Sequence, residues 1–163
     1  MPSILDFLHE GLEQRFEPGE VIIEQGGRSG RLFFLVEGTA EVIKDRVQLA
    51  KFSAPGTVFG DVAALLDGVH FATVRALQPC TFRIIADPRA FLAASPVVCL
   101  HLCEVMARRL DGLVKYLVDA KQQYGGADHL EMIGAVLETL LHRQPGNHTR
   151  PSESTICKDE LPD

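Results

Sequence analysis

The sequence predicts a mostly β domain with flanking helices, an antiparallel β-roll or jelly-roll barrel of about eight strands followed by a long C-terminal helix. Three observations carry this. Short apolar runs recur between Val21 and Ile85. Turn residues separate them at Gly19, Gly26-Gly27, Gly30, Gly38, Pro55-Gly56, Gly68 and Pro79, the spacing of an antiparallel barrel or sandwich. Past Asp87-Pro88 the apolar spacing changes to three and four, the period of a helix.

Taken in order, residues 3–15 carry Ile4, Leu5, Phe7, Leu8 and Leu12 at roughly helical spacing and predict a short helix. Val21-Ile22-Ile23 is the first strand signal. Leu32-Phe33-Phe34-Leu35-Val36 is a stronger one, closed by Glu37-Gly38. Ala40–Ile43, Val47–Phe52, Thr57–Phe59, Ala72–Leu77 and Cys80–Ile85 complete the series. Asp87 is placed to cap a helix whose first residue is Pro88, with Phe91 and Leu92 on its inner face.

A second helix is expected over 97–124, with Leu100, Cys103, Ala107, Leu110, Val114 and Leu117 along one stripe and Leu113 beside it. A helix that outlasts its domain often packs against a second copy of itself, which makes Leu110, Leu113 and Leu117 the expected homodimer interface. The other reading is a helix lying along its own barrel. Gly125-Gly126 breaks the pattern, and Asp128 is placed to cap a further helix over 129–142. Residues 144–163, rich in Pro, Ser, Thr and charge, read as a disordered tail. The expected organisation is a domain over 1–126, an accessory helix over 127–143 and the tail.

At 163 residues and 46% hydrophobic, the chain is long and apolar enough for one domain with its own core. A net charge of −6 argues against a general nucleic-acid surface, so no direct nucleic-acid partner is expected. Cys80, Cys99, Cys103 and Cys157 have no disulfide-framework spacing and suit a reducing compartment. No apolar run reaches a membrane span, and no signal sequence opens the chain. A cytoplasmic protein is expected.

Several glycine-centred segments then align with one family. Phe16-Glu17-Pro18-Gly19-Glu20, Gln25-Gly26, Phe34-Leu35-Val36-Glu37-Gly38, Phe52-Ser53-Ala54-Pro55-Gly56 and Phe59-Gly60-Asp61 succeed one another, and Ala72-Thr73-Val74 follows. Together, over roughly residues 3–120, they resemble the cyclic nucleotide-binding domain family of catabolite-activator-type regulators, kinase regulatory subunits and gated channels. The resemblance implies a β roll, a ligand such as cyclic AMP or cyclic GMP, and a phosphate-binding cassette opening at Gly60. It places Gly60, Asp61, Val62, Ala63, His70, Phe71 and Ala72 at the ligand. Gly60 lets backbone approach a phosphate, and the start of a helix over Val62–Leu66 offers N–H groups to it.

Two positions depart from the family. Where its glutamate takes a ribose hydroxyl, Asp61 keeps the acceptor but is one methylene shorter. Where its arginine pairs with the cyclic phosphate, His70 stands, and Phe71 replaces a small neighbour. Arginine brings a permanent charge and a fork of donors, whereas histidine offers at most one donor there and is largely neutral near pH 7. Losing such a contact costs about 2–5 kcal/mol, enough to move a micromolar ligand to tens of micromolar or into the millimolar range. Three states stay open: weak binding of a cyclic nucleotide, binding of another ligand with Phe71 as a stacking wall, or an empty cassette with Phe71 as core.

The expected function is therefore a non-enzymatic regulatory sensor, with ligand coupled to movement of the long helix. The alternative is a ligand-free interaction or scaffold protein whose 97–142 helices meet a protein partner. No helix-turn-helix, kinase or channel pattern follows the long helix. Gly26-Gly27-Arg28-Ser29-Gly30 lacks the lysine of a triphosphate-binding loop and reads as a turn between strands. Cys99, His101 and Cys103 fall on different helix faces, so no metal is expected. Arg75 is expected to face outward between inward Val74 and Ala76.

Overall fold

The computed structural model describes residues 2–123 and 132–136 of the chain. The chain divides into two compact units, Met1–Ala107 and Arg108–Asp163. The first holds eight strands: β1 (Leu12–Phe16), β2 (Val21–Ile23), β3 (Leu32–Glu37), β4 (Ala40–Lys44), β5 (Val47–Phe52), β6 (Val58–Phe59), β7 (Thr73–Ala76) and β8 (Cys80–Ile85). They form two four-stranded antiparallel sheets, ordered β1-β8-β3-β6 and β2-β7-β4-β5. The strand count agrees with the sequence, and the roll is two sheets sharing a core.

That core follows from the two-residue alternation of strands. Phe33 and Leu35 of β3, Phe82 and Ile84 of β8, Phe16 of β1, Ala40 of β4 and Val74 and Ala76 of β7 meet in one buried cluster between the sheets. Phe16 and Phe59 each set a ring edge-on to Phe82, at 5.8 and 5.9 Å between centroids. The opposite face of β3 sends Leu32 and Phe34 into a second cluster with Leu8, Val58, Ile85, Phe91, Leu92, Val98 and Leu102. β3 is thus buried on both faces, which is why its sequence is an unbroken apolar run.

The helix expected over residues 3–15 is absent. Ile4–Phe7 makes one 3-10 turn capped by Ser3 and Asp6, and Leu12–Phe16 is a strand. Leu12 falls at helical spacing from Leu8, yet five registered pairs with β8, from Leu12↔Ile84 to Phe16↔Cys80, fix this segment as an edge strand. Arg83 secures the junction, donating to the Leu8 carbonyl at 3.1 Å and to Glu13 Oε2 at 2.8 Å. Long-range pairing overrides the local periodicity.

A short helix α1 (Asp61–Leu65) lies between β6 and β7. After β8, Asp87 caps α2 (Pro88–Ala94) by accepting from the Ala90 N–H at 3.1 Å, with Pro88 in the first turn and Phe91 and Leu92 buried. The long helix α3 (Pro96–Gln123) follows. Within the first unit it buries Val98 and Leu102 in the second cluster, with Cys99, Val105 and Met106 packed against it. The stripe through Leu100 and Cys103 is exposed instead.

In the second unit, Lys115 bonds Asp111 one helical turn earlier at 2.6 Å. Leu110 and Leu113 are exposed and Leu117 half-buried. Residues 132–136 are helical, within the helix expected over 129–142, whose other residues lie outside the described ones. The Gly125-Gly126 break and the tail over 144–163 also lie outside them. Among the described residues no single helix is long and apolar enough to cross a membrane.

Candidate functional site

β6 delivers the chain to Gly60, whose φ of +77° is left-handed and whose carbonyl accepts the Ala64 N–H at 3.0 Å to start α1. A Cβ at Gly60 would stand 2.9 Å from the Arg31 carbonyl oxygen and 3.4 Å from both the His70 ring and Phe33. Only glycine satisfies the dihedral and the crowding together. The first N–H groups of a helix have no acceptor within it, and Val62 and Ala63, expected as amide donors, lie in this first turn. Asp61 is 4% exposed and Ala63 is buried, while Val62 is exposed.

The chain returns through Asp67, also left-handed at φ +51°, to Val69, His70 and Phe71. His70 is buried beside Gly60, where the sequence placed it. Burial holds its ring below the ordinary histidine range, so the neutral form is favoured. Among the described residues its side chain has one hydrogen-bond partner, the Ser29 hydroxyl, 2.7 Å from Nε2. That contact directs the imidazole at the 24–31 loop.

Further bonds join the same two segments. The Gly26 N–H donates to the His70 carbonyl and the His70 N–H to the Gly27 carbonyl, each at 2.8 Å, and Arg28 donates to the Asp67 carbonyl at 2.8 Å. The Gly26–Gly30 segment is the turn between strands that was expected. It is also the clamp that holds the cassette, a role nothing in its own residues announces.

Phe71 departs from one of the three states left open. Its ring is 59% exposed, so it neither fills a hole nor joins the core; the neighbouring Ala72 is buried in its place. Lys44, at the end of β4, donates to the Phe71 carbonyl at 3.0 Å and sets its ammonium 5.9 Å from the ring centroid. Sequence reasoning missed both Lys44 and Ser29, which lie 27 and 41 residues from their partners.

Arg75 faces outward as expected, between buried Val74 and Ala76. It is no idle surface charge: its Nε donates to Glu41 Oε1 at 2.8 Å across the β4–β7 pair. Glu41 is itself buried and also accepts from Gln48. The Gln48 and Arg75 hydrogen bonds hold the Glu41 carboxyl below the ordinary carboxylate range, against the opposing effect of burial. On the far side of the cassette, Arg89 of α2 donates to the Leu65 carbonyl at 2.9 Å and ties the end of α1 to α2. Among the described residues no group of three or more His, Cys, Asp or Glu could hold a metal ion.

Against known proteins, residues 13–93 match the family model for the cyclic nucleotide-binding domain. A cAMP-dependent protein kinase regulatory subunit from Yarrowia lipolytica is 44% identical over 79 residues, 48% of this chain and 20% of that protein. The cAMP-activated global transcriptional regulator CRP of Salmonella typhimurium is 25% identical over 95% of this chain and 75% of its own length. The chain thus spans only a fifth of the first of these relatives. Among solved structures, the Thermus thermophilus catabolite activator protein superposes with a TM-score of 0.60 at 20% identity, covering 84% of this chain and 81% of that one. That likeness is one of fold. The family match covers the strands and cassette described above, and on it the chain belongs, through residues 13–93, to the cyclic nucleotide-binding domain family.

Proposed function

We propose that this chain is a non-enzymatic sensor module that binds a cyclic nucleotide, cyclic AMP or cyclic GMP, with weakened or altered affinity. The single observation that carries the reading is the cassette turn kept intact with Phe71 outside the core. Gly60 keeps the left-handed turn into α1, Asp61 keeps a buried acceptor, and Phe71 stands out of the core. A cassette converted to core would have buried that ring, since hiding a phenylalanine is worth about 1.5–3 kcal/mol. Affinity is reduced because His70, neutral and engaged with Ser29, replaces a permanent cation.

Occupation of the cassette reaches the helices through the Arg89 bond to the end of α1, since α2 leads directly into α3. Leu110, Leu113 and Leu117 then form the interface of a homodimer, whose packing differs between the two states of the switch. The module works in the cytoplasm, without direct contact to nucleic acid or membrane. One observation favours the second reading, a ligand-free scaffold that binds a protein partner: the Ser29 hydroxyl already occupies His70 Nε2.

Calorimetric titration of the dialysed protein with cyclic AMP and cyclic GMP separates the two, with Asp61→Ala and a His70→Arg/Phe71→Ser double variant alongside. Saturable binding by wild type that Asp61→Ala abolishes is the expected result. Binding by the double variant and none by wild type would overturn the sensor reading in favour of the scaffold.

A further inference from the structure

The phosphate partner of the cassette need not come from the cassette itself. Lys44 reaches it from β4. The β4–β7 register ends at Ile43↔Thr73, so Lys44 stands one step beyond, opposite the segment that leaves His70 and Phe71. Its ammonium bonds the Phe71 carbonyl, one residue from the imidazole that touches Gly60. An ammonium has three donors, and this bond uses one.

The neighbouring anion is shared. Asp45 Oδ2 lies 4.0 Å from the Lys44 ammonium, a long ion pair, while Gln25 bonds the same residue. Gln25 Nε2 donates to Asp45 Oδ1 at 2.8 Å, and Gln25 Oε1 accepts the Asp45 N–H at 3.1 Å. The lysine side chain itself is half-exposed, so two of its donors face outward from the Phe71 bond.

We infer that Lys44 is the binding residue for the anionic group of the ligand, taking over the charge that His70 cannot supply, and that the exposed Phe71 ring beside it stacks on the ligand's base. This rests on the cyclic-nucleotide reading above. The ligand class is a nucleotide with one negative charge: an ammonium matches a single charge in a half-exposed site, and an aromatic face next to it accepts any base. Selectivity among bases is correspondingly low.

The test titrates wild type, Lys44→Met, Lys44→Arg and Phe71→Ala with cyclic AMP, cyclic GMP and uncharged adenosine, with melting curves to show that each variant is folded. Lys44→Met should weaken cyclic-nucleotide binding about tenfold, the effect of losing one exposed charge-assisted bond, and should leave adenosine unchanged. Lys44→Arg should retain affinity within about threefold, because it keeps the charge. Phe71→Ala should weaken all three ligands by about fivefold or more. Cyclic-nucleotide binding that Lys44→Met leaves intact would overturn this assignment while the sensor reading stands. An equal loss for adenosine would overturn it too, by showing a merely structural lysine. No saturable binding by wild type would overturn both readings together.

Discussion

Replacing Gly60 with alanine tests the geometry on which the cassette rests. At φ +77° an alanine pays the left-handed penalty, about 1–2 kcal/mol. Its Cβ also meets the Arg31 carbonyl oxygen at 2.9 Å, a backbone atom that cannot swing aside as a side-chain tip can. Relieving that contact costs about 1 kcal/mol more, for a total of about 2–3 kcal/mol. Gly30→Ala is the matched control. Gly30 is left-handed at φ +64°, yet a Cβ there meets nothing within 4 Å, so only the dihedral penalty applies. Urea unfolding can be followed by far-UV circular dichroism, since the chain has no tryptophan. With a slope of about 2 kcal/mol/M, Gly60→Ala should lower the midpoint by about 1–1.5 M and Gly30→Ala by about half as much. Equal shifts would refute the close approach of the 31–33 strand to the cassette turn. No shift at Gly60 would refute the left-handed turn itself.

Four further outcomes are expected. Burial lowers the His70 pKa from its ordinary 6.5, so the unfolded chain takes up the proton first; this contribution is full above about pH 6.5 and is lost as pH falls through that value to the lower folded one. The thermal midpoint should therefore drop on acidification from about pH 7.5 to about pH 5.5, and His70→Asn should flatten the drop. The Glu41 contribution lies lower, present above its ordinary 4.5 and lost as pH falls through its depressed folded value, so Glu41→Gln should reduce the acid sensitivity in that window. Arg75→Met should cost about 2 kcal/mol in urea unfolding, less than the 3–5 of a fully buried pair because Arg75 is 44% exposed, and Glu41→Gln added to it should recover part of the loss. On the proposed homodimer, wild type should sediment as a dimer and a Leu110→Glu/Leu113→Glu variant as a monomer, since each charge would be buried at that interface; a monomeric wild type would remove the dimer, and identical dimers would remove these residues from its interface.

How much of this was legible depended on how far each contact reaches along the chain. β3 could be read because both of its faces are buried, leaving an apolar run, and α2 because Asp87-Pro88 carries its own cap. The first strand was hidden because Leu12 continues the spacing of Leu8 by four, and only its pairing with β8, some 70 residues away, decides otherwise. Within the site, Gly60 was legible from the turn it must make, and Asp61 only through the family resemblance. Phe71 was not, since an apolar residue beside a cassette reads as core until its neighbours are known. Glu41 could be placed on the outer face by alternation, but its burial depends on Gln48 and Arg75 arriving from two other strands.

The preserved shape of the cassette does not by itself call for a ligand, because contacts within the protein hold it. Three hydrogen bonds between residues 26–28 and the backbone of 67–70, with the Arg31 carbonyl packed under Gly60, fix the turn whatever side chain stands at position 70. A sequence could lose its ligand and keep all of them. What such a chain has no reason to keep is a half-exposed lysine beside an exposed phenylalanine. Drift after loss of binding would bury or replace the ring, because an exposed aromatic gains nothing for stability there. The Lys44 assignment therefore rests on Lys44 and Phe71 together, and the Lys44→Met titration puts that assignment directly at risk while the wild-type titration tests the sensor reading itself.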